Sequence, residues 1–159
     1  MTANANSHTP LDGVTVLDAS RVLSGPFCTM QLGDLGAEVV KVERPDGGDQ
    51  TRGWTPPTYG DSEASAYYLS INRNKRAVTL NLASARGRDL FRELAVEADV
   101  LVENFRVGKM ADWGLGYEDL RAENPGLVYC SISGYGQDGP YKDRPAYDLL
   151  MQAEGGRSL

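Results

Sequence analysis

Between Gly13 and Glu43 the chain reads GVTVLDAS, then a stretch beginning SGPFCTMQLGDLG, then EVVKVE. Two short runs rich in β-branched residues flank a segment of helical character, all within about thirty residues. This is the pattern of a strand, a crossover helix and a parallel strand, and no other feature restricts the fold as strongly. Ser24-Gly25-Pro26 marks the helix start, with Ser24 as candidate cap and Pro26 in the first turn, and Gly36 marks its stop. The same alternation then continues. KRAVTLNL (Lys75–Leu82) predicts a third strand, and DVLVE (Asp99–Glu103) a fourth. Between them Ser84–Ala98 predicts an amphipathic helix with Leu90, Phe91, Leu94 and Ala98 on its apolar face. A short helix over Tyr117–Glu123 stops at Pro125-Gly126, and LVYCSIS (Leu127–Ser133) predicts a fifth strand. Asp143–Ala153 predicts a last helix, ended by Gly155-Gly156. Five strands alternating with helices define an α/β domain with a mostly parallel sheet and flanking helices. The order of the strands is left open.

One segment stands outside this alternation. Arg44–Ser65 holds four glycines and three prolines and reads as a long loop. Loops of this length inside a compact domain are usually functional or disordered. Trp54 in its middle favours function, because so large an aromatic side chain normally packs against something.

Composition removes several classes of activity. The net charge of −6 argues against a general nucleic-acid binder. No apolar run reaches the ~20 residues of a membrane span. The first ten residues, MTANANSHTP, lack the charged and apolar regions of a secretory signal, so residues 1–10 read as a disordered leader and the chain as cytoplasmic. Cys28 and Cys130 are far apart and read as buried thiols, so no metal site is expected. The single histidine, His8, lies in the leader, where it is poorly placed to serve a serine or cysteine nucleophile. Covalent chemistry here would rest on another residue type, such as a carboxylate.

The stretch SGYGQDGP places Gly134, Gly136 and Gly139 at the spacing of a dinucleotide-binding fingerprint. That fingerprint works only between a strand and a helix, where the pyrophosphate rests on the helix N-terminus. Here PYKDRP follows, and its two prolines oppose an immediate helix. The glycines read instead as a turn that borders an active site. In open α/β sheets ligands bind beyond the carboxyl ends of the strands. Arg44 follows the second strand, Asn104-Phe105-Arg106 follows the fourth, and Ser24-Gly25-Pro26 follows the first. Arg73, Lys75 and Arg76 add three cations in NRNKR. Together they suggest one rim that takes a phosphate-bearing ligand.

The blocks from PLDGVTVLDAS to DQTRGW, with NRNKRAVTLNL, DVLVENFRVGKMADWGLGYEDL and YCSISGYGQDGP, resemble the class III CoA-transferases of the CaiB/BaiF type. The resemblance runs from Pro10 to Gly156 and looks closest to the branch that handles dicarboxylic acids. It implies a Rossmann-like large domain, a smaller second domain and two interlocked subunits. Residues 11–159 would then be the N-terminal part of the large domain of a homodimer. The implied substrates are an acyl-CoA and a carboxylic acid, with no tightly bound cofactor, no nucleic acid and no membrane partner. The implied reaction moves coenzyme A between carboxylates through an aspartyl-CoA thioester.

Carried over by position, Leu23 and Ser24 would contact coenzyme A beside the first helix. Arg44 would meet its nucleotide end. Leu80, Asn81, Leu82 and Ala83, with Asn104, Phe105 and Arg106, would line the same ligand. Leu80 and Leu82 read equally well as strand core. Trp54 would border the acyl group, with Tyr147 and Asp148 beside the reacting centre. Asp112 stands where many relatives have a basic residue, a role that Arg106 or Lys109 could take, and Pro145 where some have a lysine. The family's nucleophilic aspartate lies a few tens of residues past the position of Tyr147, beyond Leu159, and Asp148 matches a different position. The 159 residues are therefore expected to be inactive alone. Two alternatives stand beside this reading: a non-catalytic coenzyme A-binding or relic fragment, and the α-methylacyl-CoA racemase branch. The second is weakened because Tyr147 stands where that branch carries a catalytic histidine.

Overall fold

A computed structural model describes residues 9–156. The expected disordered leader, with His8, falls outside the described residues except for Thr9 and Pro10. Five strands form one sheet: β1 (Thr15–Asp18), β2 (Glu38–Glu43), β3 (Lys75–Thr79), β4 (Val100–Glu103) and β5 (Val128–Ser131). All neighbours are parallel, in the order β3-β2-β1-β4-β5. The chain builds outward from β1 on one side and then restarts on the other. The switch point of this doubly wound sheet lies between β1 and β4, where such folds open a crevice.

Helices α1 (Ser24–Asp34), α2 (Ala66–Ile71), α3 (Ala85–Val96), α4 (Lys109–Asp112), α5 (Tyr117–Arg121) and α6 (Asp148–Glu154) complete the described elements. Successive strand residues point to opposite faces, and the sheet is covered on both. Val16 and Val102 join Ala37 and Val39 in one core, with Leu32 of α1 packed against it. Leu17 and Leu101 join Phe91, Ala95, Leu115 and Leu120 in a larger core on the other face. Phe91 is fully buried there, and truncation of such a ring costs about 3–5 kcal/mol.

Several expected boundaries move. Ser24 is the first residue of α1 and not its cap; Leu23 holds that position without a side-chain hydrogen bond. β3 ends at Thr79, and Leu80–Ala83 leaves the sheet. The buried face of α3 is Gly87, Phe91 and Ala95, while Leu94 is exposed, because the helix is rotated to set Phe91 at the core's centre. α6 begins at Asp148 rather than Asp143, and Pro145 accounts for the delay by disfavouring helix before it. The long segment after β2 is less loose than expected. Asp49 caps a 3₁₀ turn over Gln50–Gly53, and Ser65 caps α2 by accepting from the Tyr68 amide. Both cysteines are free and half-buried rather than buried. No helix among the described residues is long and apolar enough to cross a membrane.

Candidate functional site at the carboxyl ends of the strands

A cleft of about 210 Å³ lies over the carboxyl ends of β1 to β4. Ala19, Ser20 and Arg21 enter it after β1, Arg44 after β2, Leu80–Ala83 after β3, and Phe105 after β4. Four segments distant in sequence thus converge on one concavity, as the parallel order requires. Trp113 closes one side, with its ring edge against Phe105 at 5.4 Å and the Lys109 ammonium over its face at 4.7 Å. The Arg21 guanidinium stacks on the other part of the Phe105 ring at 4.8 Å. Arg44 is exposed and spends only its Nε, on the Gly48 carbonyl at 3.0 Å. Its two terminal amino groups have no partner among the described residues, which leaves a planar cation for an anionic ligand.

The Leu80–Ala83 wall is fixed from behind. The Leu80 amide donates to the Glu43 carbonyl at 2.9 Å. Arg88 donates to the carbonyls of Leu82 and Ala83 at 3.2 and 2.9 Å. Ser84 caps α3 by accepting from the Gly87 amide at 3.0 Å. Leu82 itself is core, and Leu80 is packed against the same core. Both readings of these leucines hold at once, since they line the cleft while belonging to the core.

Leu23 and Ser24 stand at the exposed head of α1, next to the cleft but not in its lining. Asn104 is aimed at protein, not at the cleft. Its side chain accepts from the Arg21 amide at 2.9 Å and donates to the Arg21 carbonyl at 2.7 Å. Arg106 is exposed and has no partner among the described residues. Trp54 lies outside the cleft, half-exposed, with its ring 5.0 Å from that of Tyr67 and its carbonyl bonded by Ser65 Oγ at 2.9 Å. Burial raises the Tyr67 pKa, and the negative charges of Asp49 and Asp148 add to the effect. Further along the chain Tyr147 is 70% exposed, and Asp148 accepts from Gln152 Nε2 at 2.7 Å.

The expected basic rim does not form. Lys75 opens β3 at its amino end, and its ammonium is buried against Asp18, the last residue of β1, at 3.0 Å. Arg73 pairs with Asp34 and Arg76 with Glu38, each at 2.5 Å. Lys75 is thus buried and the two arginines are engaged in surface ion pairs, while Arg21, Arg44 and Arg106 form no ion pair among the described residues. The glycine triplet also lacks its helix, because it follows β5 and the next helix starts only at Asp148. Gly134 admits close packing instead: a Cβ there would stand 2.0 Å from that of Ala146. Gly136 and Gly139 take left-handed backbone.

A buried ionic network beneath the cleft escaped the sequence reading. Asp18 accepts from the Ser20 amide at 2.9 Å, from Thr29 Oγ1 at 2.7 Å, and from the Ser20 hydroxyl. Its burial works to raise its pKa, but Lys41, Lys75 and these hydroxyls outweigh that and hold it below the usual range. Lys41 Nζ meets the Asp49 carboxylate at 3.2 Å and the Ser20 carbonyl at 2.9 Å. Asp49 accepts from Thr51 N, Thr51 Oγ1 and Val22 N. Val22 sits at φ 70°, a conformation that costs a β-branched residue about 1–3 kcal/mol. Glu43 takes the Arg52 guanidinium through two oxygens and the Tyr68 hydroxyl at 2.8 Å. The signal was present in EVVKVE. Val39, Lys41 and Glu43 share one face of a strand covered on both sides, and a charge buried there must be paired.

Comparison with known proteins agrees with this geometry. The family model for CoA-transferase family III matches residues 11–158. Succinyl-CoA:glutarate CoA-transferase of Homo sapiens is 51% identical over 97% of this chain and 35% of its own length. Succinate–glutarate CoA-transferase of Agrobacterium fabrum is 46% identical over 98% of this chain and 40% of its own. A CaiB/BaiF family protein of Brucella suis superposes with a TM-score of 0.89 at 47% identity, over 94% of this chain and 40% of that one. The chain thus spans 35–40% of the length of these relatives. With its doubly wound sheet and its cleft at the carboxyl ends, the chain belongs to CoA-transferase family III.

Proposed function

We propose that these residues supply the coenzyme A site of an enzyme that transfers coenzyme A from an acyl-CoA to the carboxylate of a dicarboxylic acid. The observation that carries this reading is the convergence of Arg44, Leu80–Ala83 and Phe105 on one cleft. The apolar walls suit an adenine ring, and the free guanidinium of Arg44 suits its phosphates. Arg106 and Lys109 stand close enough in sequence to replace the basic residue whose position Asp112 occupies. Trp54, Tyr67, Tyr147 and Asp148 then border the acyl end.

The chemistry is a double acyl exchange. An aspartate carboxylate attacks the thioester carbonyl and expels the thiolate, leaving a mixed anhydride. The thiolate attacks the aspartyl carbonyl, releasing the donor acid and forming an aspartyl-CoA thioester. The acceptor carboxylate repeats both steps in reverse, and the aspartate is regenerated. No redox step or metal is required. We place the nucleophile beyond Leu159 in the family's order, in a homodimer of the whole protein, with residues 11–159 as the first part of its large domain. Residues 1–159 alone are expected to show no turnover.

A calorimetric titration of coenzyme A and of NAD into residues 1–159 tests the site. Coenzyme A should bind at least tenfold tighter, and Arg44→Ala should weaken it about tenfold, the equivalent of ~1.4 kcal/mol. Equal affinity for the two ligands would refute the assignment. Turnover by residues 1–159 would refute the placement of the nucleophile and direct attention to Asp148.

A further inference from the structure

Two complete peptide units at the mouth of the cleft are held by side chains from elsewhere in the chain. The Ser20 carbonyl accepts from Lys41 Nζ at 2.9 Å. The Arg21 amide and carbonyl are both taken by Asn104. The Val22 amide donates to Asp49 Oδ2 at 3.3 Å. Immediately after this clamp the pattern reverses. The amides of Leu23 and Ser24 have no acceptor among the described residues, although they stand at the head of α1 beside the cleft.

The clamp is more elaborate than a loop of this length needs for stability. Lys41 and Asp49 are 1% and 2% exposed, and burying two charges is a poor source of stability compared with packed apolar side chains. What the pair does achieve is geometric. Thr51 fixes one Asp49 oxygen through its amide at 3.0 Å and its hydroxyl at 2.9 Å. Lys41 fixes the other at 3.2 Å, and that same oxygen meets Val22 N. A β-branched residue at φ 70° persists only where its surroundings over-determine it. The turn at Val22 decides where the next two N–H groups stand.

We propose that Lys41 and Asp49 are a positioning pair for the binding of coenzyme A at the head of α1. By holding Val22 left-handed, they present the Leu23 and Ser24 amides to the bound ligand. Lys41 lies outside the cleft lining, and Asp49, which lines it, has both carboxylate oxygens engaged by Thr51, Lys41 and the Val22 amide. The proposal rests on the coenzyme A reading of the cleft, and its test separates the two.

Residues 1–159 are prepared as the wild type and as the double variant Lys41→Met/Asp49→Leu, which removes both charges while keeping apolar bulk. Two quantities are read under conditions where both proteins are folded: the Kd for coenzyme A, and the hydrogen-exchange rates of the Val22, Leu23 and Ser24 amides without ligand. We expect Kd to rise at least tenfold and exchange at Val22 to accelerate at least tenfold, with the amides of β1 and β4 unchanged. A purely structural pair would leave both quantities at wild-type values in the folded variant, and that result overturns the proposal. So does accelerated exchange with unchanged Kd, or a weakened Kd with unchanged exchange. If the double variant does not fold, Thr51→Val, which removes one bond to Asp49, is read in the same two assays with about threefold changes expected. If wild type does not prefer coenzyme A over NAD, the ligand reading fails, and the exchange rates alone decide whether the pair holds the turn.

Discussion

Gly87 is where helix propensity and tertiary packing make opposite predictions. It lies in the first turn of α3, with backbone that alanine can adopt. On propensity alone, Gly87→Ala should stabilise the helix by about 0.5–1 kcal/mol. However, a Cβ at this position would stand 2.0 Å from the Asn81 carbonyl oxygen and 2.6 Å from its carbon. Both are backbone atoms, so no side-chain rotation relieves the contact. Ordinary separation requires the Asn81 peptide to retreat by roughly 1 Å or more. The retreat strains the Leu80–Ala83 wall and lengthens the Ser84 cap, whose loss costs about 1 kcal/mol. Overpacking costs about 1–3 kcal/mol more. The two penalties exceed the propensity gain, leaving a net loss of about 1–3 kcal/mol and a fall in Tm of roughly 3–10 °C.

Thermal denaturation of Gly87→Ala beside Gly53→Ala checks this arithmetic. Gly53 has no atom within 4 Å of a built Cβ and no left-handed backbone, so its variant should stay within about 0.5 kcal/mol of wild type. Because the strained segment lines the cleft, Gly87→Ala should also bind coenzyme A several-fold more weakly. If Gly87→Ala melted at or above the wild-type temperature with unchanged binding, propensity would have won. The claim that α3 is packed to backbone contact against the wall would then be wrong.

Three further outcomes follow from the packing and the buried charges. Gly134→Ala drives a Cβ into Ala146 and toward Met151 Sδ, so α6 should lose its exchange protection while the sheet keeps its own; unaltered protection from Ala146 to Glu154 would contradict that packing. Asp18→Asn leaves Lys75 buried without its carboxylate and should cost about 3–5 kcal/mol in urea unfolding at pH 7, and a loss below 1 kcal/mol would show that the pair is not dry. Burial raises the Glu103 pKa against hydrogen bonds from Ser131 and the Phe105 amide, so its contribution to stability is full below the ordinary Glu range and declines as pH rises through the raised value. Glu103→Gln should abolish that decline, and identical pH profiles for the two proteins would refute it.

The sheet was legible because each strand carries its own signal. GVTVLDAS, EVVKVE and DVLVE are runs of β-branched and aliphatic residues bounded by turn chemistry, and the observed strands fall inside them. Local signals fail where the decision is made by a distant partner. The NRNKR cations read as a ligand rim because nothing near them in sequence shows that Asp18 lies in reach, 57 positions away from Lys75. Asn104 reads as a ligand contact for the same reason, although its partner is the Arg21 backbone across 83 positions. The glycine triplet was separable from a nucleotide site because its test is local: a helix must follow at once, and PYKDRP prevents it. Among the residues that line the cleft, Ala19–Arg21, Gly48, Asp49 and Trp113 carried no such signal. Arg44 and Phe105 could be named in advance because the parallel order brings the β-to-α connections to one edge, and Leu80–Ala83 from the family resemblance. The residues that shape the cleft could not, because Lys41, Asp49 and Gly87 act through backbone atoms that carry no sequence signature. In a cleft built this way, the side chains that hold the backbone have to be found in the fold.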